Sequence, residues 1–468
     1  MAERTKVGIF LGLLGMVALT GCKSFDGDKV RREHVESYQQ QLAEKTAETL
    51  ADGAPLTLDD CIRIALDNSL QVRSAEIEAR IAKLERKTAF ANFLPAVSLN
   101  YQYTNFDPQV VMKIGGFEAA RSDKRVREVT WDIQMSILNP ATWFLYSMHT
   151  RGAEIADLVT DYTKQLTVLQ VTAGYFHCLS LAEYERALDS QIEAAEALQK
   201  DLEALENEGL ASAWQAEQAG VLVLARQIER DRTGRARAQA ESDLLVAMGL
   251  SPLAEISLRA DASVDPVTGS LEDLVSEALL CHPQLRISDR AVAIQQEAVK
   301  VAFAGFLPVL QGFASRMDST DSFLKYSNYW VGGLAGTLSV FNGFANINEY
   351  KAARQRREEV FLEREQASLA VILEVFKAHL NLQTAAQERA WAQQNLKVAS
   401  AKLAEVRQQW QEGLISAPAL LDLLAQRDGA QMQAINAGYR YQVATATLWN
   451  VMGKTKTDFE GVSHDDQS

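Results

Sequence analysis

The tripeptide Phe-Leu-Pro occurs twice, at Phe93-Leu94-Pro95 and Phe306-Leu307-Pro308, and the second copy lies 213 residues after the first. At that spacing Leu58 falls on Leu271, Asp60 on Asp273, Ala65-Leu66 on Ala278-Leu279 and Arg73 on Arg286. Further along the spacing drops to 204, where Glu208-Gly209-Leu210 falls on Glu412-Gly413-Leu414 and Met248-Gly249 on Met452-Gly453. Two anchor sets separated by a single length change mark a whole-chain duplication. Whatever unit one half builds, the other half builds again.

The unit opens with a helical pattern. From Leu56 to Phe93, Ala, Ile and Leu recur three and four apart with no Gly or Pro, and Pro95 stops the run. The period then changes to two. Val97, Leu99, Tyr101 and Tyr103 alternate with polar residues, as do Val129, Trp131, Ile133, Met135 and Ile137. Strands of about ten residues with one apolar and one hydrophilic face fit a membrane-spanning barrel wall. A water-soluble sandwich would also alternate, but Tyr and Trp near the strand ends favour the barrel. After Pro308 the pattern returns near Val309–Met317 and Asn328–Phe341, weakened by Gly332, Gly333 and Gly336, with a shorter connection between the strands.

Both halves then enter long helical runs. About 65 residues without proline, from Phe144 to Glu208, would span about 100 Å. Leu188, Ile192, Ala195, Leu198, Leu202 and Leu205 form a coiled-coil seam, as do Leu396, Ala399, Leu403, Val406 and Trp410. Gly209 and Gly413 suit helix C-caps, so each half is expected to hold an antiparallel hairpin with its tip at the glycine. The returning arms, to Gly249 and Gly453, are too short to flank the outgoing ones. The first helix of each unit is the natural element to continue them end to end.

The formal charge of −14 over 468 residues argues against a nucleic-acid partner. Arg4 and Lys6 before the apolar stretch Val7–Leu19 read as an export signal over residues 1–21. Leu19-Thr20-Gly21-Cys22 resembles a bacterial lipobox, which makes Cys22 the expected lipid-attachment site. Lys23, in place of the aspartate that retains such proteins at the inner membrane, favours the outer membrane. Residues 22–55 read as a polar tether, partly helical at best. The other three cysteines, Cys61, Cys178 and Cys281, read as buried free thiols. The six histidines are scattered and no catalytic motif occurs, so no catalytic residue, metal site or cofactor is expected, and His177 beside Cys178 lacks ligand spacing. Arg226, Arg230, Arg232, Arg235 and Arg237 read as an ion-paired helix face rather than a lumen patch.

Four candidate strands cannot close a barrel. The smallest have about eight, and an open sheet in lipid leaves two unpaired edges. The chain must associate, and three copies would supply twelve strands, with Ser98, Asn100, Gln102, Asp132 and Gln134 facing a wet lumen.

With these features the chain resembles the TolC-type outer-membrane efflux and secretion channels, in their lipid-anchored branch. The resemblance rests on Leu56-Thr57-Leu58-Asp59, on Ala65-Leu66-Asp67-Asn68 with its copy Ala278-Leu279 and Pro283, and on both Phe-Leu-Pro entries. The tip glycines and the Met-Gly pairs add to it. It implies a mixed α and β fold, in which long antiparallel coiled-coil hairpins form a periplasmic α-barrel and each chain contributes four strands to a trimeric twelve-stranded transmembrane β-barrel. Two internal repeats are expected, over 56–249 (strands about 96–106 and 125–138) and 271–453 (strands about 309–317 and 328–341). An equatorial linker over 250–270 would join them, with a disordered tail over 454–468. The implied partners are a homotrimer, a periplasmic adaptor (membrane fusion) protein, an inner-membrane pump and outer-membrane lipid.

In such channels acidic residues beyond the second tip glycine ring the periplasmic entrance. Here Ala419 stands at one such position and Asp422 at the other, so Asp422 is the candidate gate, with Leu420 and Leu421 as an alternative apolar constriction. Gly209, Leu210, Ser212, Gly413, Leu414 and Ser416 are the candidate adaptor-docking tips. The expected function is the exit duct of a tripartite pump expelling small toxic compounds. The duct of a type I protein secretion system and a non-conducting lipid-anchored coiled-coil scaffold are the alternatives.

Overall fold

A computed structural model describes residues 26–51, 53–260 and 262–454. The expected export signal, Cys22 and all of the tail but Lys454 lie outside the described residues. The elements are α1 (Gly27–Thr49), α2 (Leu58–Asn68), α3 (Leu70–Ala91), β1 (Ala96–Asn105), β2 (Val111–Ile114), β3 (Phe117–Ala120), β4 (Arg125–Leu138), α4 (Pro140–Asn207) and α5 (Ala213–Ala247). The same plan then repeats as α6 (Leu271–Cys281), α7 (Pro283–Ala304), β5 (Val309–Ser319), β6 (Asn328–Thr337), α8 (Ala345–Gln411) and α9 (Ala417–Val451). No described helix is long and apolar enough to cross a membrane.

The anchors of the duplication have physical roles. Asp60 and Asp273 complete capping boxes. Thr57 Oγ1 accepts from the Asp60 amide at 3.1 Å and the Thr57 amide donates to Asp60 Oδ2 at 3.2 Å, an exchange that Ser270 and Asp273 repeat. The phenylalanine of each Phe-Leu-Pro meets a tyrosine of the following long helix edge-on. Phe93 lies 6.0 Å from Tyr146, and Phe306 lies 6.5 Å from Tyr350.

One expectation fails in both repeats. The stretch from Leu56 to Phe93 is two helices, broken at Ser69, whose ψ of 127° is extended. His282 makes the same break, with ψ 123°. There the ring Nδ1 accepts from the Gln284 amide at 3.2 Å. Burial pulls the His282 pKa down, which keeps that nitrogen free to accept.

What fills the break is the returning arm. The four Met-Gly and tip glycines all close Schellman motifs. At Gly249, for example, the Gly249 amide donates to Val246 O at 3.0 Å and the Leu250 amide to Leu245 O at 2.9 Å. Gly249 then lies directly on the Asn68 carbonyl and Gly453 on that of Cys281. Thus α5 abuts the α2–α3 break, and α9 abuts the α6–α7 break, end to end.

The long helices α4 and α8 run past both partners, 68 and 67 residues, about 100 Å each. The linker after Gly249 ties the waist. Leu56 bridges Leu258, with the Arg259 amide donating to Leu56 O at 2.9 Å. Fully buried Tyr175 of α4 sits beneath this bridge, its hydroxyl 2.6 Å from Arg259 O and 3.1 Å from Leu56 O. Tyr175→Phe is expected to cost about 1–2 kcal/mol, because it removes both of the hydroxyl's hydrogen bonds to part-buried backbone carbonyls, of which Leu56 O keeps the Arg259 amide. Thermal melts of the purified protein would show it, and an unchanged midpoint would refute it. Near the linker the tether differs from expectation: α1 is a 23-residue helix. Its last turn is fastened where Thr46 Oγ1 accepts from the Ser251 amide at 3.0 Å.

The strands form one antiparallel sheet in the order β1-β4-β5-β6. Its register places Val97, Leu99 and Tyr101 opposite Ile133, Trp131 and Val129 on one face, and Ser98 and Asn100 opposite Asp132 and Thr130 on the other. On the polar face Asn100 and Ser315 donate to the two Asp132 oxygens at 2.8 and 2.7 Å. Strand β6 stops at Thr337 rather than Phe341, because β5 begins at Val309 opposite it and offers nothing further to pair with. The connection between β1 and β4 contains the hairpin β2–β3, turned at Gly115-Gly116 with φ 59° and 91°.

Candidate functional site at the helical tips

The two hairpins end side by side. At the first tip the Leu210 amide donates to Leu205 O at 2.8 Å, at the second the Leu414 amide to Gln409 O at 2.9 Å, and Gly209 and Gly413 take φ 70° and 75°. The returning helices start at once: the Ser212 amide donates to Gln215 Oε1 at 2.8 Å, and Ser416 stands at the N-terminal boundary of α9, whose first turn holds Pro418. These tight reversals push Leu210 and Leu414 outward, 73% and 71% exposed. Trp214, in the first turn of α5, is also exposed at 55%. Sequence reading passed over it, although a tryptophan two residues beyond a helix-capping serine has no core to enter.

Above the tips Leu198 and Leu202 of α4, Ala216 and Ala219 of α5 and Val406 of α8 enclose Ala417, Leu420, Leu421 and Leu424 of α9. This corrects the reading of Leu420 and Leu421 as a constriction. They are 3% and 8% exposed, and their side chains are spent on packing the hairpins of one chain together. Asp422 is turned out to solvent, where Gln426 Nε2 donates to its Oδ2 at 2.8 Å.

Higher up, charge crosses between the hairpins. Arg226 Nη2 of α5 lies 3.0 Å from Asp428 Oδ2 of α9, and Arg427 Nη2 lies 3.1 Å from Oδ1. Gln191 of α4 donates to Gln431 of α9 at 3.2 Å. Asp428 is 5% exposed, and burial raises its pKa despite Arg427 and Arg226, which pull it down. Three more arginines of the run are ion-paired as expected, while Arg235 is simply exposed. Arg230 meets Glu185 and Asp189, Arg232 meets Glu229, and Arg237 meets Glu185 and Glu241.

The cysteines hold one surprise. Burial, the largest cause for each, pushes the Cys61 and Cys178 thiols up to about 12, which makes them inert packing groups. Cys281 is exposed, not buried, since it ends α6 at the abutment with Gly453. His177 packs against Tyr439, ring centroids 5.5 Å apart.

The family model described as outer membrane efflux protein matches residues 274–454, nearly the whole second repeat. That repeat is therefore similar to the outer membrane efflux protein family. The first repeat has the same element order, caps and end-to-end abutment, so the chain builds one architecture twice. Solved outer-membrane channels share the fold over most of its length. The Vibrio cholerae outer membrane protein VceC is 15% identical with a TM-score of 0.72, covering 85% of this chain and 96% of its own. The Campylobacter jejuni CmeC outer membrane channel is 16% identical at 0.73, covering 85% of each chain. The open-state Neisseria gonorrhoeae MtrE outer membrane channel is 18% identical at 0.72, covering 85% and 89%. No curated protein matches the chain in sequence. The fold is therefore that of the TolC-type outer-membrane channels.

Proposed function

We propose that three copies of this chain form the outer-membrane exit duct of a tripartite efflux pump in a Gram-negative-type bacterium. In this reading they pass small toxic compounds from an inner-membrane pump and a periplasmic adaptor to the exterior. The observation that carries this reading is the sheet. Among the described residues its apolar face is uncovered, with Leu99, Tyr101, Trp131 and Trp330 between 47% and 65% exposed, and both edge strands, β1 and β6, lack an outer partner. Strands β1 and β6 run in opposite directions, so β6 of one protomer can pair with β1 of the next, and three copies close twelve strands. The same rotation arranges six hairpins into a tube continuous with the barrel. Acylated Cys22 would add a second hold on the outer membrane.

At the far end, Leu210, Leu414 and Trp214 present the apolar anchors an adaptor would grip, with Gly209, Ser212, Gly413 and Ser416 shaping the reversals. Asp422, repeated three times about the axis, is the proposed cation-attracting ring at the entrance. Purified trimers in planar bilayers should show discrete conductance steps, with a preference for cations that Asp422→Asn weakens. Trimers that never conduct, with or without that substitution, would leave the scaffold reading standing in place of the duct.

A further inference from the structure

Two acids of the sheet turn to its polar face, while two arginines stand on the face that would meet lipid. The acids Asp132 and Glu128 both turn to the polar face, held by Ser315 and Ser319 of the neighbouring strand. On the apolar face the register runs Leu99, Trp131, Arg316, Trp330 across the four strands. Arg316 thus stands between two tryptophans, its guanidinium carbon 5.8 Å from the centre of the Trp330 ring. Above it on the same face Arg127 lies opposite Tyr103. Neither arginine has an ion-pair partner among the described residues. Asp318 on the same face lies opposite Val129.

Arg316 is three residues from the end of β5, about 10 Å along an extended strand. That end is the one remote from the helices, and so from the periplasm. A guanidinium at this depth reaches the headgroup layer by snorkelling, while the tryptophans fix the interface level. Its guanidinium is within cation–π reach of Trp330 and exposed, which leaves its donors available to whatever fills that layer. Two outward arginines flanked by Tyr101, Tyr103, Trp131 and Trp330 match a ligand with phosphates above and sugar or acyl carbon below.

We propose that this rim binds the headgroup of a phosphorylated glycolipid of the outer leaflet, one per protomer, with Arg316 and Arg127 on its phosphates and the aromatic rings against its sugar and upper acyl carbons. This rests on the reading of the apolar face as the lipid-facing wall. The site would orient the barrel and seal its outer edge, independently of what the duct carries.

The test uses the full-length trimer in detergent, titrated with bis-phosphorylated lipid A and followed by native mass spectrometry. Wild type should bind one lipid per protomer. Arg316→Gln should lower its affinity about tenfold, Arg127→Gln less, and the dephosphorylated lipid should bind as weakly to wild type as the phosphorylated lipid does to Arg316→Gln. Equal binding by wild type and Arg316→Gln would overturn the proposal. So would phosphatidylglycerol binding as tightly as lipid A, since a plain cationic rim would then suffice. Conductance of the same preparations in phosphatidylcholine bilayers keeps the two readings apart. Conducting trimers without selective lipid binding would refute the headgroup site alone, whereas absence of conductance would count against the duct.

Discussion

Alanine at Gly249 is expected to cost the fold about 3 kcal/mol or more, against about 1–2 kcal/mol for alanine at Gly209. Both glycines have φ 70°, and both end helices in the same hydrogen-bonded reversal. A Cβ in the left-handed region costs about 1–2 kcal/mol by itself, and at Gly209 that is the whole penalty, because nothing lies within 4 Å. At Gly249 the new carbon would sit 2.3 Å from the Asn68 carbonyl oxygen and 2.8 Å from its carbon. Those atoms are backbone and cannot rotate away. Either α5 lifts off the α2–α3 break or the break itself unwinds, and both disturb the waist core around Tyr175, Leu244 and Met248. Gly453, with Cys281 O at 2.9 Å, should behave like Gly249, and Gly413 like Gly209. Folded yield and melting at matched scan rates should rank the four variants in two pairs. Equal losses at Gly209 and Gly249 would mean that the end-to-end abutment carries no stability.

That contrast also marks how far the sequence was legible. Duplication, strand alternation and tip glycines could be read because each depends on local chemistry: proline stopping a helix, a period of two, a positive φ. The Ser69 break could not, since no Gly or Pro marks it and the cause is Gly249 arriving from far along the chain. The β2–β3 hairpin was missed although Gly115-Gly116 signals its turn, because four-residue strands show too little period. Leu420 and Leu421 illustrate a different limit. Periodicity identifies an apolar helix face but not its partner, and only the packing of α9 against α4 decides between pore wall and core. Asp428 reads as one more helical acid until Arg226, on another hairpin, is brought to it.

That pair sets up an asymmetry. Arg226→Gln is expected to loosen the tips by about 2 kcal/mol, roughly thirtyfold in the ratio of open to closed, whereas Asp428→Asn should leave them closed or slightly tighter. Burial raises the Asp428 pKa more than Arg427 and Arg226 lower it, so the closed tip holds the neutral acid more firmly than water does. Ionised Asp428 is therefore a cost that the arginines only partly offset, and asparagine removes it. Removing Arg226 instead leaves the carboxylate buried with Arg427 alone, whose nearest nitrogen does not form an aligned hydrogen bond with Oδ1. Arg226 Nε and Arg427 Nε also lack hydrogen-bond partners, so the contact between the hairpins is under-satisfied. The pH dependence follows in sign. A carboxyl with a raised pKa in the closed state favours closure fully below its ordinary range, and loses that contribution as pH rises through the raised value. Wild-type conductance should fall on acidification through that window, and the fall should be smaller in Asp428→Asn. If Arg226→Gln and Asp428→Asn open the duct equally, the pair acts as a simple attractive latch and the burial argument is wrong.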